Sequence, residues 1–352
     1  MPDWKKSMQQ TFEYYTVNPD TWFDEKLLQN VKSCAVTFDE TADTGGSATF
    51  EADENLGEAY VRAYLVTIQN GVTEKFPLGT VMIQTPQEGY DGKAKTVSMD
   101  AYMPLVELKE KLPPYGYTIM KKQNIMDMAY SLTADNVRAP VIAQDNNKNI
   151  TYDFIADTSD TWLDYLSDFI ALAKYRYSID GMGRISFSPI RDAAAMQPVW
   201  TFDDSNSSIL YPEVTLERDL YGVPNVVEVV YTENNLTLYS RVVNKDDNSP
   251  ISIQNRGRQV VYREDSPNIT GTPTQEQLDL YAEELLREKS ALEYTISYTH
   301  GYCPVRVGNC VRLNYERAGI TNIKAIVSSQ TIKCEPGCPV TETATFTTKL
   351  WG

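Results

Sequence analysis

Cysteine and histidine could do chemistry in this chain, and both are scarce: five cysteines and one histidine, His300, in 352 residues. Four of the cysteines fall late, with six residues between Cys303 and Cys310 and three between Cys334 and Cys338. Two such pairs supply the donors of a tetrahedral structural zinc site, which makes Cys303, Cys310, Cys334 and Cys338 the metal candidates. The spacing is loose, however. Cys310 falls in a predicted strand, and Cys334 and Cys338 flank a Glu-Pro-Gly turn, so the pattern fits four small buried or turn thiols without metal better. A disulfide made after release into an oxidising medium is the third reading. Cys34 has no partner near it in sequence.

Other site chemistries find less. A Cys303–His300 nucleophile and base pair would sit at a strand-to-loop junction, with nothing beside it in sequence to complete a triad. The acidic loops Asp145-Asn146-Asn147, Asp203-Asp204 and Asp246-Asp247-Asn248 lack the spacing and distal Glu of a calcium loop and read as solvated turns. Among 48 acidic residues carboxylate pairs arise by chance, so a pair carries no signal for hydrolysis. There is no phosphate-cradling glycine loop, no G-x-S-x-G and no H-E-x-x-H; Gly181-Met182-Gly183 lacks the third glycine and reads as a turn. We expect no catalytic residue, no cofactor and no enzyme.

Charge narrows the partners. A formal charge of -16 opposes binding to phosphates, which needs a basic surface, yet it suits a wall along which DNA slides without sticking. There is no apolar run of about 18 residues, so no membrane insertion is expected. Met1-Pro2-Asp3-Trp4-Lys5-Lys6 leads into polar residues, so we expect no secretory leader and assembly in a cytoplasm. The 23 tyrosines against 10 phenylalanines fit half-buried strands and wet interfaces.

The elements that must position these residues are mostly strands. Residues 1–30 read as an N-terminal arm with a short helix or turn, too aromatic to be free. Residues 31–108 read as a first β-barrel-like domain, with a long strand at Ala59–Ile68, a hairpin at Asn70-Gly71 and turns at Asp39–Gly46 and Tyr90-Asp91-Gly92. Residues 109–192 read as an α+β domain. Here a short helix spans Pro104 to Pro114, another covers Gln123 to Leu132, and an amphipathic one follows the N-cap cluster Asp157–Asp160. A hairpin at Asp180–Gly183 closes it. Residues 193–352 read as a second β-barrel-like domain, with a hairpin loop at Thr232 to Asn235. Its inserted helix, at about 275–291, opens on a Thr274–Gln277 capping box. The fold class expected is α+β, β-rich: two small β-barrel-like domains with an α+β domain between or around them.

One stretch resembles a known family. Ser47-Ala48-Thr49-Phe50, Tyr60-Val61-Arg62-Ala63-Tyr64, Phe76-Pro77-Leu78-Gly79-Thr80-Val81-Met82-Ile83, Gly89–Gly92, Thr96-Val97-Ser98-Met99-Asp100-Ala101-Tyr102 and the Leu105–Leu112 segment resemble, in order, the tail-hub or baseplate-hub family of tailed phages. Late in the chain, Pro304–Leu313 is similar to that family's Pro-x-x-x-x-Gly-Asp-x-Val strand, with Asn309 in place of the Asp. The resemblance implies a structural homotrimer in the virion, forming a ring at the tail tip or baseplate around the DNA-ejection channel. The ring would join the tail tube to tip components. The partners implied are a distal tail ring protein, a tape-measure protein and tip, fibre or spike proteins, with DNA passing unbound. Family members often append a hydrolase or receptor-binding region; this sequence ends at Trp351-Gly352, soon after its last strand, so a minimal hub is expected. The alternative is a tail-tip adhesin whose tyrosines bind a host-surface glycan.

Overall fold

The computed structural model describes every residue except 91, 93, 94, 234, 235, 266, 268, 270–272 and 352, and the side chain of Glu233. The expected turn at Tyr90–Gly92 and loop at Thr232–Asn235 lie partly outside the described residues, at Asp91 and at Asn234 and Asn235. Strand accounts for 46% of the chain and helix for 15%, an α+β, β-rich protein. It divides into two compact units, residues 1–214 with 297–344, and residues 215–296 with 345–352.

The first unit starts with strands. β1 (Gln9–Val17), β2 (Asp24–Leu28), β3 (Val31–Asp39), β4 (Gly46–Ala52), β5 (Tyr60–Gln69), β6 (Val72–Tyr90) and β7 (Lys95–Tyr102) share one sheet, in the order β3-β4-β7-β6-β5-β1-β2. Residues 1–30, expected as an arm with a short helix or turn, supply two strands: β1 pairs with β5 at nine successive positions, Gln9↔Ile68 to Val17↔Tyr60. Its aromatics follow a strand period, with Tyr14 buried toward Phe50 at 6.3 Å. The β5–β6 hairpin turns at Asn70 (φ 53°) and Gly71 (φ 78°), the two left-handed positions its turn type needs.

The α+β segment holds α1 (Val106–Lys109), β8 (Thr118–Ile119), α2 (Ile125–Asn136), β9 (Phe154–Ile155), α3 (Trp162–Ala171), β10 (Tyr175–Ile179) and β11 (Ile185–Pro189). The helix expected up to Pro114 shrinks to the four residues of α1. Val106 and Leu108 are buried, but Leu112, a turn further on, is 65% exposed and has no core to face. α3 begins at Thr161, whose hydroxyl accepts from Asp164 N–H while the Asp164 carboxylate accepts from Thr161 N–H. Its buried Trp162, Leu163, Leu166, Phe169 and Ile170 follow helical spacing and share a core with Val17, Trp22, Tyr60 and Met82 of the sheet. Truncating Phe169, fully buried, would cost about 3–5 kcal/mol.

The later strands are β12 (Trp200–Asp203), β13 (Leu210–Arg218), β14 (Val226–Glu233), β15 (Leu236–Val243), β16 (Val261–Glu264), β17 (Ala291–Gly301), β18 (Cys310–Tyr315), β19 (Ile320–Lys333) and β20 (Pro339–Lys349), with helices α4 (Ile253–Arg256) and α5 (Gln275–Lys289). The sheet path continues from β3 through β19, β20 and β17 to β13, while β18 pairs β19 and β12. The β3–β19 ladder, Ala35↔Lys333 to Asp39↔Ser329, is the seam joining early and late strands. In the second unit, β15-β14-β16 form a small sheet. α5, capped by Thr274 and Gln277, packs Leu278, Ala282, Leu285 and Leu286 against Val227 and Val229 of β14.

Candidate functional site

The thiols and the histidine settle into three separate surroundings. Cys303 and His300 are both fully buried, with Cys303 Sγ 3.8 Å from His300 Nδ1, which also lies 2.7 Å from the Gly301 carbonyl. On the other side of the ring, His300 Nε2 approaches Glu342 Oε1 at 3.3 Å, an ion-pair contact without good hydrogen-bond alignment. Glu342, fully buried on β20, also accepts from Tyr298 OH at 2.6 Å and from Gln330 Nε2 at 2.5 Å. Burial lowers the affinity of His300 for its proton, but the Cys303 and Glu342 side chains outweigh it and raise the pKa to about 10. The Phe202 ring packs against the imidazole at 4.5 Å, tilted by 38°. The constellation places a thiol, an imidazole and a carboxylate in line, and all three are fully buried. The group links β17 and β20 inside the sheet through buried polar contacts.

Cys310, at the start of β18, points its thiol at the Ala193 carbonyl 3.9 Å away. Cys334 and Cys338 flank their turn as expected, closed by Cys338 N–H to the Glu335 carbonyl at 2.8 Å. Their neighbour is Cys34, whose backbone carbonyl accepts from Cys334 N–H at 2.9 Å. All five cysteines are free thiols, and among the described residues no group of three or more His, Cys, Asp or Glu side chains could hold a metal ion.

Sequence reasoning missed the most connected polar residue in the first unit, Arg62. It is 1% exposed in the middle of β5. Its Nε donates to Thr80 Oγ1 at 2.7 Å, Nη1 to Asp24 Oδ1 at 2.6 Å, and Nη2 to the carbonyls of Met182 (3.1 Å) and Trp22 (3.3 Å). Tyr64 OH donates to the other Asp24 oxygen at 2.7 Å, and Trp22 Nε1 donates to the Met182 carbonyl at 2.7 Å. One guanidinium thus fixes the β1–β2 turn and the β10–β11 turn onto the sheet. Two glycines make the approach possible. A Cβ on Gly181 would stand 2.3 Å from the Pro77 carbonyl oxygen, and one on Gly183 would stand 2.7 Å from Thr80 Cβ. The Phe-Pro-Leu-Gly-Thr stretch is therefore the seat of this anchor, since Pro77 lies against Gly181 and Thr80 accepts from Arg62. A second tie lies nearby: buried Glu107 accepts from Tyr60 OH at 2.5 Å and from Arg138 Nε at 2.7 Å and N–H at 2.9 Å.

The anchor has a surface consequence. Asn18 accepts from the Asp20 and Thr21 amides through Oδ1, and its backbone exchanges hydrogen bonds with Trp22 and Phe23. Trp22 is buried and Asp24 is held by Arg62, so Phe23 between them is presented outward, 74% exposed, on a hydrogen-bonded loop. Such a side chain loses little freedom on docking, which favours binding. Further exposed apolar residues in the α+β segment are Tyr115 (93%), Leu112 and Ile155. A cleft of about 310 Å³ in the first unit is lined by Leu105, Ile170, Tyr177 and Ile179, with the Arg176–Glu40 ion pair of 2.6 Å among its lining residues.

No known protein-family model matches the sequence, and no curated protein matches it. Solved structures do. The tail protein from Neisseria meningitidis MC58 superposes with a TM-score of 0.62 at 13% identity, over 97% of this chain and 98% of that one. The 43 kDa tail protein of prophage MuSo2 from Shewanella oneidensis gives 0.65 at 12% identity, over 96% and 98%. A chain of the Francisella PdpA–VgrG complex gives 0.53 at 11% identity, over 97% of this chain and 58% of that one. The chain has the fold of phage tail proteins, end to end.

Proposed function

We propose that this chain is a non-enzymatic structural hub of a phage tail, forming a homotrimeric ring at the tail tip or baseplate around the DNA-ejection channel. The observation that carries the reading is the likeness to two tail proteins over nearly the full length of all three chains. Full-length likeness matters because a shared single domain would say little about assembly. Three features of the chain support it. The Cys303–His300–Glu342 group is fully buried inside the sheet. A charge of -16 lets DNA pass without adhering. Phe23 and the apolar residues near Tyr115 offer contact points for other subunits.

In this reading three copies stack below the tail tube, bind a distal tail ring protein and the tape-measure protein, and carry tip, fibre or spike proteins beneath. The virion tail is its place of action and the host cytoplasm its place of assembly. Light scattering of the purified protein at micromolar concentration tests the premise. Three chain masses are expected; a single chain mass at all concentrations would contradict it.

A further inference from the structure

Cys34 and Cys334 stand opposite each other where the seam between β3 and β19 ends. The ladder pairs Val36 with Ile332 and Ala35 with Lys333, so the next step sets Cys34 against Cys334. The bond from Cys334 N–H to the Cys34 carbonyl, 2.9 Å, confirms that register. Directly opposed residues of an antiparallel ladder share a face, with Cα atoms about 5.5 Å apart where they exchange hydrogen bonds. A disulfide needs about 4.4–6.8 Å between Cα atoms, so the backbone is already at bridging distance. By the period of two, both side chains fall on the face that buries Val36 and Ile332, each fully enclosed. The two thiols differ in access: Cys34 is buried and Cys334 is half-buried. Burial and the neighbouring Cys334 thiol push the Cys34 thiol well above its ordinary range, so it is a slow nucleophile that needs a partner already activated.

We propose that Cys34 and Cys334 form a disulfide when the protein meets a small-molecule disulfide such as oxidised glutathione. The Cys334 thiolate attacks one sulfur of glutathione disulfide, releasing one glutathione thiolate and leaving a mixed disulfide on Cys334. The Cys34 thiolate then attacks the Cys334 sulfur and expels the second glutathione. Two protein thiols are oxidised, one disulfide is reduced to two thiols, and the two protons end on the released glutathiones. The cross-link closes a loop of about 300 residues and covalently fastens β3 to β19, so it restricts the unfolded chain strongly. Cys338, fully buried across the short turn, is the competing partner for Cys334.

The full chain, reduced and then exposed to oxidised glutathione at pH 8, is read by intact mass and by non-reducing peptide mapping. The expected result is a loss of two hydrogens, a single cross-linked peptide pair containing Cys34 and Cys334, and free thiols at Cys303, Cys310 and Cys338. The thermal midpoint should rise by on the order of 5 °C. Cys338→Ser should keep the cross-link, and Cys34→Ser should retain the glutathione adduct on Cys334. A Cys334–Cys338 link, or a native protein that stays fully reduced while its urea-unfolded form oxidises, would overturn the proposal. The wild-type map decides the matter even if a serine variant fails to fold.

Discussion

Two of the buried charged groups that tie the first unit together solve the same problem differently. On the early strands, Arg62 spreads its charge over one carboxylate, one hydroxyl and two carbonyls, and thereby holds two turns on the sheet. On the late strands, His300 and Glu342 form a fully enclosed pair completed by Tyr298, Gln330 and Cys303. A guanidinium stays charged at any pH a protein survives, whereas an imidazole can lose its proton. The early tie therefore keeps its cation as pH rises and the late one does not. The contrast also bears on function: the early tie serves the surface, because it presents Phe23, while the late tie lies wholly inside.

Breaking the early tie should have the largest effect. Arg62→Met removes the cation facing Asp24 and the Arg62 donor from the Trp22 carbonyl, and leaves Asp24 only Tyr64 and the Met182 carbonyl only Trp22 Nε1. It should cost about 4 kcal/mol in urea unfolding at pH 7. A cost below about 1 kcal/mol would show that Asp24, partly exposed, is solvated well enough without it.

The late tie should yield somewhat less, and in a pH-dependent way. Glu342→Gln keeps the shape but removes the charge facing His300, and should cost about 3 kcal/mol at pH 7. The folded pKa of His300, about 10, is raised above its unfolded value, so the stability it contributes is complete below that unfolded value and is lost as pH rises through about 10. The Tyr298 hydroxyl is also pushed well up by burial and by Glu342, and it loses stability in the same direction when the pH climbs. The gap between wild type and Glu342→Gln, measured by chemical unfolding from pH 7 to 10.5, should therefore shrink. A constant gap would mean that His300 is neutral in the folded protein.

The smallest effect on folding belongs to Phe23. Because its ring is largely in solvent, Phe23→Ala should change monomer stability by less than about 0.5 kcal/mol. It should nonetheless weaken self-association by roughly tenfold or more if Phe23 anchors an interface. Sedimentation over a concentration series separates the two readouts; unchanged association would remove Phe23 from the contact surface.

The same contrast explains what was legible in the sequence. Local signals survived intact. Asn70-Gly71 is a hairpin turn, Asp180–Gly183 another, and Thr274 with Gln277 does cap α5, because each depends on neighbours within a few residues. The start of α3 moved from the Asp157–Asp160 cluster to Thr161, since Asp160 turns back to the Asp157 amide. What stayed hidden are partners far apart in sequence. Nothing beside Arg62 announces Asp24 or Met182, and nothing beside Cys34 announces Cys334. One signal was available: a lone arginine within the apolar run Tyr60–Val66 marks a buried charge that must find a carboxylate. Tyr298 and His300, two apart on one strand, likewise share a face and call for a common acceptor. The long-range β1–β5 ladder turned an expected arm into strands for the same reason, since the pairing depends on residues some fifty positions away.

The central claim is that this fold builds a hub, and electron-microscopy class averages of the purified protein test it most directly. The account predicts rings of three subunits around an open or plugged central channel. Isolated single subunits, or closed assemblies without a threefold axis, would contradict it.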